Sequence, residues 1–143
     1  MKFNVNQQDL QQALSYCQGV IEKRSTLPIL SNVLLDASNS QLTITATDLD
    51  VIFVHQIKNI EVIEDGKTTT TSSIMYDIVR KFSSGKKINL NLTDVSKLHL
   101  ESEKSNFNLN CITASEFPVT DENFNQNEFS IKSRQLLKLL NKC

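Results

Sequence analysis

The sequence holds little of what marks a specialised chain. Its 143 residues include 3 glycines and 2 prolines, too few for a disordered or collagen-like segment. No apolar run approaches the ~18–20 residues of a membrane-spanning helix. The opening stretch MKFNVNQQDL turns polar too early for a signal peptide, so the expected compartment is the cytoplasm and no membrane partner is expected. Cysteine occurs only as Cys17, Cys111 and Cys143. An odd number without CxxC spacing argues against a disulfide framework or a zinc site, and for three free thiols. The 2 histidines, His55 and His99, lie far apart. There is no HExxH, no GxSxG and no glycine-rich phosphate loop. No cofactor or metal is therefore expected, and an enzyme is the weaker class. Charge of one sign is missing too. Lys and Arg total 15 against 16 Asp and Glu, a net charge of -1, without the basic excess usual in a groove-reading DNA-binding domain.

What is present is the pattern of one globular domain. Hydrophobic residues make up 39% and charged residues 22%, and the length suffices for a core without staples. Phe3 and Val5 alternate with Asn4 as a short strand. A helix follows, with Asn6 as its cap, Asp9 in its first turn, and an apolar face of Leu10, Ala13, Leu14, Cys17, Val20 and Ile21. Pro28 breaks any helix and extends Leu27. Val33–Leu35 and Leu42–Ala46 read as strands on either side of a turn at 37–40. Val51–Val54, apolar at every position, reads as a strand covered on both faces. A turn at 64–67 and a β-prone stretch at 68–71 lead to a second helix from Ser72 or Ser73. Its apolar face is Ile74, Met75, Ile78, Val79 and Phe82, and Gly85 is its C-terminal cap. Three alternating strands, 88–92, 98–100 and 107–111, precede a linker over 114–127. The order β-α-β-β-β-α-β-β-β defines an α+β fold with two helices packed on antiparallel sheets.

The first strand and helix start again at the C-terminus. With an offset of 126, Phe3, Val5, Leu10, Leu14 and Cys17 fall on Phe129, Ile131, Leu136, Leu140 and Cys143. Such a repeat implies a first domain over 1–125 and the truncated start of a similar one over 126–143, hence a piece of a longer protein of repeated domains.

Asp48 and Asp50 have the spacing of a carboxylate pair on one strand face, the basis for a small-hydrolase reading. Between two strands, however, aspartate is more often a turn residue. Basic residues group near helices: Lys23 and Arg24 after the first; Arg80, Lys81, Lys86 and Lys87 on and after the second; Lys132, Arg134, Lys138 and Lys142 on the third. They serve either as solvated faces or as weak, sequence-independent attraction to phosphates.

Several segments, taken in one register, resemble the N-terminal domain of bacterial replication sliding clamps, the beta subunit of DNA polymerase III. They are Met1-Lys2-Phe3 with Val5 and Leu10; Arg24 with Thr26-Leu27-Pro28-Ile29-Leu30 and Asn32; Thr47-Asp48-Leu49-Asp50; Asp77-Ile78 with Arg80; Phe107-Asn108-Leu109; and Phe117-Pro118. The resemblance spans the chain apart from one extra residue between Thr93 and Ser96. It implies a DNA-clamp domain, non-catalytic, in a homodimeric ring that encircles double-stranded DNA without reading sequence and tethers the replicative polymerase after a clamp loader closes it. It implies Arg24 and Arg80 as DNA-binding residues and Phe107, Leu109 and Lys104 at the dimer interface. Ser73, Ile74 and Asn106 stand where some relatives carry basic residues. The family's pocket for polymerase and loader peptides lies between its later domains, so these residues alone are expected neither to carry it nor to close a ring. A rival reading is an α+β interaction module that dimerises through the Phe107/Leu109 edge with no DNA function.

Overall fold

Alternation of apolar and polar residues sets the strands, and every strand pairs antiparallel with its neighbours. The computed structural model describes residues 1–21, 26–118 and 130–142. Strand β1 (Lys2–Asn6) buries Phe3 and Val5 and leads into helix α1 (Gln7–Cys17). The side chain of Asn6 caps α1, accepting from the Gln8 amide at 2.9 Å, which satisfies one of the otherwise unpaired first-turn donors. After a 3-10 turn at Pro28–Ser31 come β2 (Asn32–Ser38), β3 (Gln41–Thr47), β4 (Ile52–Lys58), β5 (Glu61–Glu64) and β6 (Gly66–Thr71). Helix α2 (Ser72–Val79) precedes β7 (Lys87–Asp94), β8 (Lys97–Ser102) and β9 (Ser105–Ile112), and α3 (Ser133–Leu140) comes last. The β2–β3 hairpin turns on Asn39 and Ser40, with φ of 50° and 57°. These values fit the type I′ turn, whose twist matches that of the strands.

The strands run in the order β4-β3-β2-β6-β9-β8-β7-β1-β5. Strand β9 is the hinge of this array. It pairs with β8 through residues 105–110, Asn110 opposite Lys97 and Ser105 opposite Ser102, but reaches β6 only through Cys111 and Ile112. That seam is held by buried polar groups rather than by apolar contact. Thr69 Oγ1 donates to Ile112 O at 2.8 Å, Thr70 Oγ1 to Asn110 O at 3.1 Å, and Asn32 Nδ2 to Thr69 Oγ1 at 3.1 Å. Buried hydroxyls and amides need such partners.

One core lies between the sheet and helices α1 and α2. Leu10, Ala13, Leu14 and Cys17 of α1 meet Met75 and Val79 of α2 over Phe3, Leu35, Leu42, Ile44, Ile88, Leu90, Leu98 and Leu100. The helices run antiparallel, joined at both ends. Gln7 Nε2 donates to Val79 O at 2.9 Å, and Gln18 Nε2 donates to Ser72 Oγ at 2.7 Å. Gly66 lets the N-terminus pack, because a Cβ there would stand 2.7 Å from Met1 Cβ.

The α+β class and both helices are as expected, but five strands rather than three separate them. Strand β5 is short and mostly exposed, with no alternation to reveal it. Three further expectations are overturned. Strand β4 is an edge strand covered on one face only, with Ile52 and Val54 left 37% and 53% exposed. Ile74 is exposed, because α2 turns Met75 and Val79 to the core. Gly85 does not cap α2. The helix ends at Arg80, tight turns carry the chain past Phe82, and Gly85 (φ 76°) serves a separate turn. The 114–127 stretch is more than a linker at its start: Ala114–Glu116 form a 3-10 turn and Phe117 is buried. Phe129 and Cys143 of the repeat lie outside the described residues. Ser130 to Lys132 form no strand, and Leu136, Leu137, Leu139 and Leu140 of α3 are exposed.

Cys17 and Cys111 are free thiols. Burial pushes the Cys17 thiol from 9.0 up to about 12. The unfolded chain therefore releases this proton above pH 9 while the folded chain keeps it, so Cys17 lowers stability as pH rises through that window. In chemical denaturation, the stability advantage of the native protein over Cys17→Ala is expected to shrink by about 1 kcal/mol between pH 8 and pH 10. An unchanged difference would mean that the thiol ionises equally in both states.

Candidate nucleic-acid interface and strand edge

The solvent face of the helix pair is built from α1 and α2 together. Helix α1 exposes Gln8, Asp9, Gln12 and Tyr16, and α2 exposes Ser73, Ile74 and Asp77. Neither helix contains Lys or Arg; their charged residues are Asp9 and Asp77. Positive charge begins at the C-terminal end of α2 with Arg80 and Lys81, where the helix dipole favours cations. The Arg80 guanidinium lies over the Tyr76 ring, 5.5 Å from its centre, a cation–π arrangement that holds an exposed side chain in place. Among the described residues Arg80 and Lys81 form no ion pair, whereas Lys86 pairs with Glu103 at 3.1 Å and Lys87 lies 3.8 Å from Glu61. The structure thus divides a group of four basic residues into two free and two neutralised. Arg24 lies outside the described residues. Lys132, Arg134, Lys138 and Lys142 are exposed on and beside α3.

Between the helices runs a groove of about 400 Å³ lined by Gln8, Gln11, Gln12, Ser15, Tyr76 and Ser84. No residue pattern announced it, since glutamine and serine at these positions read as ordinary solvated helix.

The second feature is the outer edge of β9. Residues 105–109 pair with β8 on one side and face no strand on the other among the described residues. Phe107 and Leu109 share the inner face, as their spacing requires. Leu109 is a core residue, 6% exposed, while Phe107 is half-buried and meets Phe82 edge-on with ring centres 5.6 Å apart. Lys104 is exposed in the two-residue turn between β8 and β9.

The other candidates resolve as structure. Asp48 Oδ1 accepts from the amides of Asp50 and Val51 at 3.0 and 2.7 Å, and Thr47 Oγ1 donates to Val51 O at 2.8 Å. Asp48 is thus the acceptor that closes the β3–β4 turn, and Asp50 is exposed beside it. His55 stacks on Phe53 at 6.2 Å, and His99 Nδ1 lies 2.8 Å from Asn108 Oδ1. Among the described residues no three His, Cys, Asp or Glu side chains are grouped to hold a metal. No helix there is long and apolar enough to cross a membrane.

Two antiparallel helices packed on an antiparallel strand array define an α+β domain with a helical face and, among the described residues, free strand edges. The chain belongs to the DNA polymerase III beta subunit family, whose N-terminal domain matches residues 1–121. It is 33% identical to the beta sliding clamp of Caulobacter vibrioides over 144 residues and 32% identical to that of Pseudomonas aeruginosa over 142, in each case 99% of this chain and 38% of the relative. The solved pol III beta of Caulobacter crescentus superposes with a TM-score of 0.93 at 32% identity, again over 99% of this chain and 38% of that one. The DNA polymerase III subunit beta of Pseudomonas aeruginosa gives 0.92 at 31%. The chain therefore spans about 38% of the length of these relatives.

If Asp48 is a turn acceptor, Asp48→Ala lowers stability by about 1 kcal/mol, while Asp48→Asn, which keeps the acceptor oxygen, changes it by only a few tenths. Urea denaturation of both variants distinguishes this from a role that needs the charge, for which the two would behave alike.

Proposed function

We propose that the protein is a sliding clamp: a non-catalytic, cytoplasmic processivity factor that closes as a homodimeric ring around double-stranded DNA and tethers the replicative polymerase once a clamp loader has placed it. The observation that carries this reading is the match over residues 1–121 to the clamp subunit's N-terminal domain, with superposition over 99% of the chain. Residues 1–125 form the first domain and 126–143 begin the second. The exposed apolar face of α3 supports that division, since an amphipathic helix is stable when its apolar face is covered.

The helix pair faces the DNA in this proposal. Arg24 and Arg80 supply the positive potential, and the cations at the end of α2, without an ion pair among the described residues, support that role. A ring retains DNA by topology, so its contacts can stay weak and sequence-independent. A net charge of -1 is compatible with this, because only the lining needs positive potential. The β9 edge is the dimer contact. Its backbone is free to add a strand, Phe107 presents its half-buried ring, Leu109 anchors the strand from within the core, and Lys104 stands at the rim.

The test uses the protein expressed from its whole reading frame and loaded on nicked circular DNA by its clamp loader. Retention in high salt is expected on the circle and loss on linearisation. Arg24→Ala and Arg80→Ala should each make loading less salt-sensitive, by about one unit of log–log slope per lost phosphate contact. Failure to remain on the closed circle with an active loader would favour the interaction module built on the β9 edge.

A further inference from the structure

The loop that follows α2 reaches the β8–β9 hairpin at two points. The chain leaves the helix at Arg80, and tight turns carry it through Lys81 and Phe82. The Phe82 side chain is 6% exposed and lies edge-on to Phe107, with ring centres 5.6 Å apart and planes at 81°. Phe107 stands opposite Leu100 in the β8–β9 ladder and faces no strand on its other side among the described residues. Strand β8 therefore sets its backbone, while Phe82 meets its ring from outside the hairpin. The second point is the hairpin's tip. Glu103 has a φ of 53°, a conformation that residues with a Cβ rarely adopt. Its carboxylate accepts from Ser83 Oγ at 3.3 Å and pairs with Lys86 Nζ at 3.1 Å. Both partners of that ion pair are about half exposed, so it adds little stability by itself. What it supplies is location: one short loop holds both the turn and a ring of the hairpin.

We infer that Phe82 is a positioning residue for the dimer contact of the β9 edge: its ring holds the Phe107 ring in the orientation that meets the partner subunit. The inference rests on the clamp reading and deepens it, because it names a residue that acts on the contact through another. An edge-to-face pair fixes direction as well as distance, since the positive rim of one ring meets the negative face of the other. A half-buried side chain at an interface loses rotamer freedom when the partner covers it. Phe82 confines the Phe107 ring before association, so less of that cost falls on the dimer. Apolar bulk alone does not replace this, because it lacks the directional ring contact. Phe82 is also a core residue, and its loss lowers folding stability. Dimer affinity read through Phe107 is a separate measurement from that stability.

The test uses the protein expressed from its whole reading frame, with subunits carrying donor and acceptor fluorophores. Energy transfer over a dilution series gives the dimer dissociation constant, and urea denaturation gives the stability of each variant. Phe82→Leu, which keeps apolar bulk without the ring, is expected to unfold at nearly the native urea midpoint. Its dimer dissociation constant is expected to rise about fivefold. In a Phe107→Ala background the same replacement should leave the constant where Phe107→Ala put it, because residues in contact do not act additively. Native dimer affinity in Phe82→Leu would overturn the inference and leave the clamp reading intact. The same loss persisting in the Phe107→Ala background would overturn it too, since the effect would not run through that ring. A Phe107→Ala protein that dimerises like the native one would remove the β9 contact itself, and the inference with it.

Discussion

The antiparallel clasp of α1 and α2 is the constraint on which the rest depends. Two side-chain amides set it: Gln7 Nε2 on Val79 O at one end and Gln18 Nε2 on Ser72 Oγ at the other. With the ends fixed, Leu10, Leu14 and Cys17 are held against Met75 and Val79, and the core closes over the sheet. The same clasp decides what the solvent face offers, because Gln8, Gln11 and Gln12 have only that face left to occupy. A slip of one residue would break both amide bonds and present Leu10 or Leu14 to water, so the burial pattern and the outer chemistry are one choice.

The sheet carries a different tension. Its two halves share β9 only through Cys111 and Ile112, and buried threonines and Asn32 make up the missing ladder with side-chain bonds. That arrangement leaves the first part of β9 without a strand partner on its outer side among the described residues. Strand β4 ends the array at one side with Ile52 and Val54 exposed, and β5 ends it at the other with Ile63 exposed. Free edges of this kind invite pairing with another strand. A ring built by continuing sheets from domain to domain would use such edges rather than suffer from them.

Much of this was legible in the sequence where periodicity is strong. Asn6 as cap, the α1 face from Leu10 to Cys17, the β3 alternation and the helix start at Ser72 all follow from local pattern, whereas Val20 and Ile21, expected on the same face, lie in the turns after α1 ends. The errors share a cause. Val51–Val54 looks buried on both faces because four apolar residues in a row carry no sign of an edge, and strand order is not a local property. Ile74 misled because α2 turns Met75 and Val79 into the core with Tyr76 and Ile78 packed beside them, which leaves Ile74 on the solvent side. At the candidate site, the turn role of Asp48 was legible from its residue type. The sorting of Lys86 and Lys87 from Arg80 and Lys81 was not, because Glu103 reaches Lys86 from the β8–β9 turn and Glu61 reaches Lys87 from β5. Leu109 shows the same limit: spacing put it on one face with Phe107, and only packing distinguishes the core residue from the half-exposed one.

Net charge is the property that most argues against a nucleic-acid partner, and its distribution is what weakens that argument. The acids that bring the total to -1 are partly spent on the sheet side, where Glu61, Glu103 and Asp36 sit near Lys87, Lys86 and Lys67. The two helices keep only Asp9 and Asp77 within their spans, and the cations next to α2 form no ion pair among the described residues. On the helix side Asp9 and Asp77 stand against Arg80 and Lys81, so the charge there is balanced and its cations lie together beyond the end of α2. On the proposed reading, a polyanion held by topology needs no more than a few cations to set its distance.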